Sequence, residues 1–197
     1  MKLKKWLVLA VALVMLVGIL AGCGNSQTTS DTSGKTVKIG FMGPITGANA
    51  AEGSAARNAF QLVFDEANKD GSLPYKVQVV AMDDASQPSA GASAAQKLVA
   101  NPDVIAISGH WNTPVAEATI PICKAAGCPL VIWGAIGADL LSSSTYPYIT
   151  RVCPTDAQEN EPLAKAVTDL GYKKFYIISD TTSYGTSNTA AFKAQLK

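Results

Sequence analysis

The sequence predicts an α/β fold built on a doubly wound parallel sheet, and three observations predict it. From Thr36 onward, segments of strand character alternate with segments of helical period, joined by connections of a few residues. That is the pattern of βαβ units with right-handed crossovers. The third and fourth strand segments, 104–108 and 129–133, are short apolar runs, as strands covered on both faces require. Hydrophobic residues make up 48% of the 197 and charged residues only 16%, which excludes a disordered chain and fits a packed globule.

The elements follow in order. Residues 37–42 form a first strand, ending in a glycine-rich turn. A helix over 53–69 places Phe60, Val63, Phe64 and Ala67 at i, i+3, i+4 and i+7, one buried stripe, and Gly71 stops it. Residues 76–82 form a second strand closed by Asp83 and Asp84. Pro88 opens a second helix with Ala95, Leu98 and Val99 toward the sheet, and the turn at 101–103 leads into the third strand. A third helix starts near Thr113-Pro114, with Thr113 as its N-cap. The fourth strand leads into a loop over 134–148 and an extended segment over 148–152. Thr155 and Gln158 make a capping box. The helix it opens carries Leu163, Ala166, Val167 and Leu170 at helical spacing, and Pro162 is expected to kink it. A further strand is expected over 173–179 and a last helix from Tyr184 onward.

The first 23 residues have another character. Lys2, Lys4 and Lys5 precede an apolar run from Trp6 to Leu20, followed by Ala21-Gly22-Cys23. Basic start, short apolar core and small residues before a cut site are the marks of a secretory signal. The apolar run is shorter than the roughly 20 residues a spanning helix needs. Leu20-Ala21-Gly22-Cys23 resembles the lipobox of bacterial lipoproteins. That resemblance implies cleavage before Cys23 and a diacylglycerol thioether on its sulfur. More than one acyl chain gives stable anchoring. Residues 24–35 are rich in Ser, Thr and Gly and read as a flexible tether. Without the leader the chain has 13 basic and 15 acidic residues, a balance that argues against a nucleic-acid partner.

Chemistry-bearing residues are sought at the carboxyl ends of the strands, where open α/β sheets bind ligands. After the first strand, the turn at 43–53 lacks the glycine spacing of a dinucleotide site or a P-loop, so no nucleotide cofactor is expected. Thr46 or Glu52 would there touch a small ligand. After the third strand come His110, Trp111, Asn112 and Thr113 at a helix start. Thr113 caps the helix or donates to a ligand carboxylate, and Trp111 lines a pocket. His110, the only histidine, is read as a packed side chain. After the fourth strand, Gly134, Ala135, Ile136 and Gly137 let a ligand approach the backbone. Asp180 to Gly185 place Tyr184 to stack from the opposite side. Asp83 and Asp84 are read as turn-binding carboxylates rather than a metal pair. Cys123, Cys128 and Cys153 fit no metal pattern. A Cys123–Cys128 disulfide stays open beside the preferred reading of buried thiols. No nucleophile–base pair supports catalysis.

The stretches VKIGFMGPITG, DD, GH-x-NT, PLVIWGAIG, TDAQENEP and DTTSYG, in that order, resemble the type I periplasmic binding proteins of ABC importers, especially the Leu/Ile/Val-binding group. The resemblance runs from about Val37 to the chain end. It implies two lobes that close like a Venus flytrap on a small solute. Thr113 would donate to the ligand carboxylate, the main chain of Gly134, Ala135 and Ile136 would hold the head group, and Tyr184 would reach in from the second lobe. Residues 151–155 would be the first hinge crossing. The organisation it implies is a signal peptide over 1–22, lipidated Cys23 with its tether to 35, an incomplete first lobe over 36–151, and a hinge with a truncated second lobe over 152–197. Ile136 stands where amino-acid binders carry a hydroxyl, Glu52 where an aromatic is common, and Trp111 and Asn112 where residues are smaller. The expected ligand is therefore left as an amino acid, an amide or a small organic acid. The expected partner is a membrane permease, with the protein lipid-anchored in the cell envelope. A sensory receptor of the same fold and an α/β enzyme are the rival readings. The family architecture needs about twice this length, so the chain is expected to be an N-terminal part of a longer protein.

Overall fold

The computed structural model describes residues 35–141 and 147–196. The expected signal, Cys23 and most of the expected tether lie outside the described residues. Five parallel strands form one sheet: β1 (Thr36–Gly43), β2 (Lys76–Asp83), β3 (Val104–Ser108), β4 (Leu130–Ile132) and β5 (Ile149–Arg151), in the order β2-β1-β3-β4-β5. Five helices accompany them: α1 (Ala50–Asp70), α2 (Pro88–Val99), α3 (Thr113–Ala125), α4 (Asp156–Asp169) and α5 (Ser183–Gln195). The chain winds outward from β1 to β2, then returns past β1 to β3, so the winding direction reverses between β1 and β3. Crevices open at such reversals because the following connections leave to opposite faces of the sheet.

The core lies between α2, α3 and the β1–β3–β4 face, where Met42, Ala95, Leu98, Ile107, Ala116 and Leu130 are buried together. Helices α2 and α3 touch closely at Gly91. A Cβ there would stand 2.4 Å from Val115 Cγ1, so no larger residue fits without displacement. Asn68 fixes the register of β2 from α1, donating to the Val77 carbonyl (2.7 Å) and accepting from its N–H (2.8 Å). Gly71 ends α1 in the left-handed region (φ 70°).

Several elements depart from the sequence expectation. Helix α1 begins three residues early, and Gly53 in its first turn packs on the Pro44 carbonyl, where a Cβ would clash at 2.1 Å. Of its expected stripe, Phe60 and Phe64 pack edge to face (5.0 Å) and Phe60 meets Phe41 (5.5 Å), but Val63 is 60% exposed. Asn112, not Thr113, is the N-cap residue of α3, and it makes no side-chain cap bond. The capping box at Thr155 and Gln158 forms as expected, and α4 continues through Pro162. That helix buries Asp156, Asn160 and Ala164 instead of the expected stripe; Leu163 and Leu170 are exposed. Residues 173–179 have strand-like sequence but form no strand. No neighbouring strand pairs with them among the described residues, and an unpaired strand has no ladder bonds to hold it. Cys123, Cys128 and Cys153 are free thiols, which removes the disulfide alternative. Burial, with the neighbouring Cys128 sulfur second, pushes the Cys123 thiol up to about 12.

Candidate functional site

A cleft of about 500 Å³ lies at the carboxyl ends of β1, β3 and β4, bounded on its far side by Asp180, Thr182 and Tyr184 ahead of and within α5. This size suits a small molecule. Its wall is built first from indoles. Trp111 and Trp133 stack with centroids 5.6 Å apart and planes 28° from parallel, and Phe41 continues the stack behind Trp133 at 5.8 Å. Trp133 Nε1 donates to the Met42 carbonyl (3.2 Å), which fixes that ring between Phe41 and Trp111. Gly134 makes the pair fit: a Cβ there would stand 2.6 Å from the Trp111 ring.

The loop after β4 is held from beneath. The N–H groups of Gly134 and Ala135 both donate to the His110 carbonyl at 3.0 Å. Arg151 donates to the carbonyls of Ala135 (3.4 Å) and Gly137 (2.7 Å), and Cys153 Sγ approaches the Ala135 carbonyl (3.5 Å). Asp156 N–H donates to the Ile136 carbonyl (2.9 Å), and Thr113 Oγ1 accepts the Gly137 N–H (3.3 Å). The Ile136 N–H and the Gly134 carbonyl are left with no protein partner among the described residues.

His110 is fully buried. Its Nδ1 donates to Asp84 Oδ2 (2.8 Å), and Nε2 lies 2.8 Å from Thr119 Oγ1. Asp84 also accepts the Ser86 N–H (2.9 Å). Asp83 ties the turn after β1 to β2, accepting from the N–H groups of Ile45, Thr46 and Ala85 and from the Thr46 hydroxyl. Burial works to raise the Asp83 carboxyl, but these bonds together hold it below the usual range. The two aspartates thus bind turns, as expected from their adjacency, and they keep Ala85 (φ 47°) and Ser86 (φ 58°) in the left-handed region. Such a conformation costs roughly 1–2 kcal/mol per non-glycine residue. It delivers Ser86 to the cleft wall.

Two buried polar atoms of this wall, Ser86 Oγ and Asn112 Oδ1, have no hydrogen-bond partner among the described residues. Buried polar groups are nearly always paired, so unpaired ones lining a cleft are places for a ligand's own polar groups. The charged side chains that line the cleft are Glu159 and Asp180; no lysine or arginine does so among the described residues. Hydrogen bonds from the hydroxyl and N–H of Thr182 hold the Asp180 carboxyl below its ordinary range.

The cleft thus brings together Trp111, Asn112, Gly134, Ile136 and Tyr184 from the sequence-predicted set. Ala135 is buried beneath it. Thr113 is buried, and it lines a separate shallow groove with Glu117, Gly137 and Ser183. Glu52 is exposed on α1 and is not one of the residues that line the cleft, while Asn49, just before that helix, lines it. Sequence reasoning took Trp133 and Asp180 only as the first residues of strand-end stretches, and it gave no binding role to them, to Ser86 or to Glu159. Trp133 and Asp180 carried a findable signal, since each stands where a strand-like run ends.

Residues 36–197 match the family model described as periplasmic binding protein. The chain belongs to the periplasmic binding protein family. Over 173 residues it is 32% identical to Leu/Ile/Val-binding protein homolog 6 of Brucella abortus, covering 86% of this chain and 43% of that one. Over 162 residues it is 33% identical to a Leu/Ile/Val-binding protein of Rhizobium johnstonii, covering 81% and 44%. Among solved structures, the branched-chain amino-acid transporter substrate-binding protein LivJ of Streptococcus pneumoniae, in complex with isoleucine, superposes with a TM-score of 0.76 at 27% identity, covering 83% of this chain and 47% of that one. A solute-binding protein of an ABC transporter from R. palustris, in complex with 4-hydroxybenzoate, does so at 0.73 and 29%, covering 82% and 44%. These relatives are solute-binding proteins rather than enzymes. This periplasmic binding protein spans less than half the length of the curated relatives it matches.

Proposed function

We propose that this chain is the ligand-receiving part of an extracytoplasmic solute-binding protein that serves an ABC importer. Cys23 carries the lipid anchor, residues 36–151 belong to the first lobe, and residues 152–197 make the first hinge crossing and the start of the second lobe. The observation that carries the proposal is the cleft whose unpaired Ser86 Oγ, Asn112 Oδ1, Gly134 carbonyl and Ile136 N–H lie beside an aromatic wall. Such a surface binds a small polar molecule by completing bonds the protein leaves open. Relatives that bind isoleucine and 4-hydroxybenzoate support a solute of this size bearing a carboxylate. The Ile136 N–H serves as a donor to that carboxylate. Thr113, packed against Gly137, braces the loop rather than meeting the solute. Closure of the second lobe over the cleft excludes water and strengthens each bond.

Isothermal calorimetry of the full-length mature protein against amino acids, their amides and small aromatic acids tests the binding role. Saturable heat with at least one of them is expected, and no heat with any of them refutes it. Mass spectrometry of the N-terminus, with Cys23→Ser as comparison, tests the anchor: the native protein should fractionate with membranes and the variant should not.

A further inference from the structure

We infer that the solute is an aromatic compound bearing an amino group, in the first instance an aromatic α-amino acid, rather than a branched aliphatic amino acid or an aromatic acid without an amine. The inference rests on the solute-binding proposal and narrows it. Three observations within the cleft carry it.

The first is the wall. Trp111 offers the cleft the outer face of its indole, backed by Trp133, which is immobilised by its bond to Met42 and by Phe41 behind it. A flat ring offers such a surface full contact, which a branched aliphatic chain cannot match. Offset aromatic stacking adds roughly 0.5–1.5 kcal/mol beyond area, up to about tenfold in affinity. The second is charge. Glu159 and Asp180 line the cleft, with no cationic side chain lining it among the described residues. Two carboxylates favour an ammonium and disfavour a ligand that is only an anion. The third is the set of open bonds. Asn112 Oδ1 and the Gly134 carbonyl are acceptors only, so the solute must bring donors to them. An ammonium brings three and is attracted to indole faces as well. The Ile136 N–H is an open main-chain donor and takes the carboxylate of the same zwitterion.

Calorimetry with three probes on the full-length protein separates these elements. Phenylalanine carries ring, amine and carboxylate. Isoleucine lacks the ring, and 3-phenylpropanoate lacks the amine. Phenylalanine is expected to bind up to about tenfold more tightly than isoleucine and about tenfold more tightly than 3-phenylpropanoate. Isoleucine binding as tightly as phenylalanine overturns the role of the ring. Equal binding of 3-phenylpropanoate overturns the role of the amine. Both outcomes leave the solute-binding proposal standing, whereas silence with all three and with the wider panel above overturns that proposal too. Trp111→Leu, at a partly exposed position, should lower phenylalanine affinity about tenfold and leave isoleucine affinity within twofold. Asn112→Leu removes the unpaired acceptor and should weaken phenylalanine binding without lowering the melting temperature. Unchanged phenylalanine affinity in both variants, with native melting temperatures, refutes the inference.

Discussion

Leu98 and Leu170 both sit at helical spacing in amphipathic segments, yet Leu98 is buried against the sheet and Leu170 is 73% exposed. Ile107 and Ile178 both lie in short β-branched runs. The first is buried in β3, and the second is 98% exposed in a segment that forms no strand. The contrast holds across the two regions that contain these residues. Between 36 and 151, each strand has a parallel neighbour and helices α2 and α3 cover one face. Between 152 and 196, α4 and α5 pack mainly on each other, and Tyr176 is 100% exposed. The difference teaches that the apolar pattern states only what a segment can bury. A partner must be present before burial contributes stability.

The sharpest way to break that comparison is to remove a buried partner in the first region and an exposed side chain in the second. Asp84→Ala strips His110 Nδ1 and the Ser86 N–H of their acceptor in a fully buried setting. It should cost about 3 kcal/mol or more in urea-unfolding free energy, while Tyr176→Ala in the same chain should stay within about 0.5 kcal/mol. Equal losses would mean that the 173–179 segment is packed after all. A smaller effect is expected at the α2–α3 contact. Gly91→Ala forces a methyl group onto Val115 and should cost roughly 1–3 kcal/mol, read as a lower midpoint at unchanged m-value.

Within the second region, local structure should matter more than packing. Thr155→Ala removes the capping box of α4, in which Thr155 and Gln158 satisfy each other's backbone N–H groups. The loss should be about 1 kcal/mol, with the helical circular-dichroism signal as a second readout. The smallest effect is kinetic. With its thiol pushed up to about 12 by burial, Cys123 remains protonated and covered at pH 8–9. Titration with a thiol reagent in native buffer should label Cys153 first and Cys123 last. Raising the pH from 7 to 9 should speed Cys153 but leave Cys123 slow until denaturant is added. Rapid Cys123 labelling would show that the core opens as readily as the second region.

Much of the site was legible one residue at a time and little of it as an arrangement. Trp111, Asn112, Gly134, Ile136 and Tyr184 follow strand-like runs or open helices, so position alone marked them as cleft candidates. Thr113 and Glu52 met the same rule but lie outside the cleft. A one-residue shift of the N-cap turns Thr113 toward Gly137, and the early start of α1 brings Asn49 to the cleft where Glu52 was expected. Residue-level reasoning could not see that most main-chain groups of Gly134, Ala135 and Ile136 are already bonded to His110, Arg151 and Asp156. Those partners lie 16–25 residues away in sequence for Arg151, Asp156 and His110.

By itself the sequence determined the order of strands and helices as far as the helix that Thr155 caps, the parallel α/β class, the stop at Gly71, the cap at Thr155 and the turn-binding role of Asp83 and Asp84. These depend on period, backbone conformational preference and hydrogen bonds spanning a few residues, all of which are local. Only the tertiary structure decided which apolar faces are covered, that 173–179 carries no strand, that the three cysteines are free thiols, and that two indoles and several open polar groups share one cleft. Those outcomes depend on which distant segment arrives as a neighbour, and burial or bonding exists only once it does.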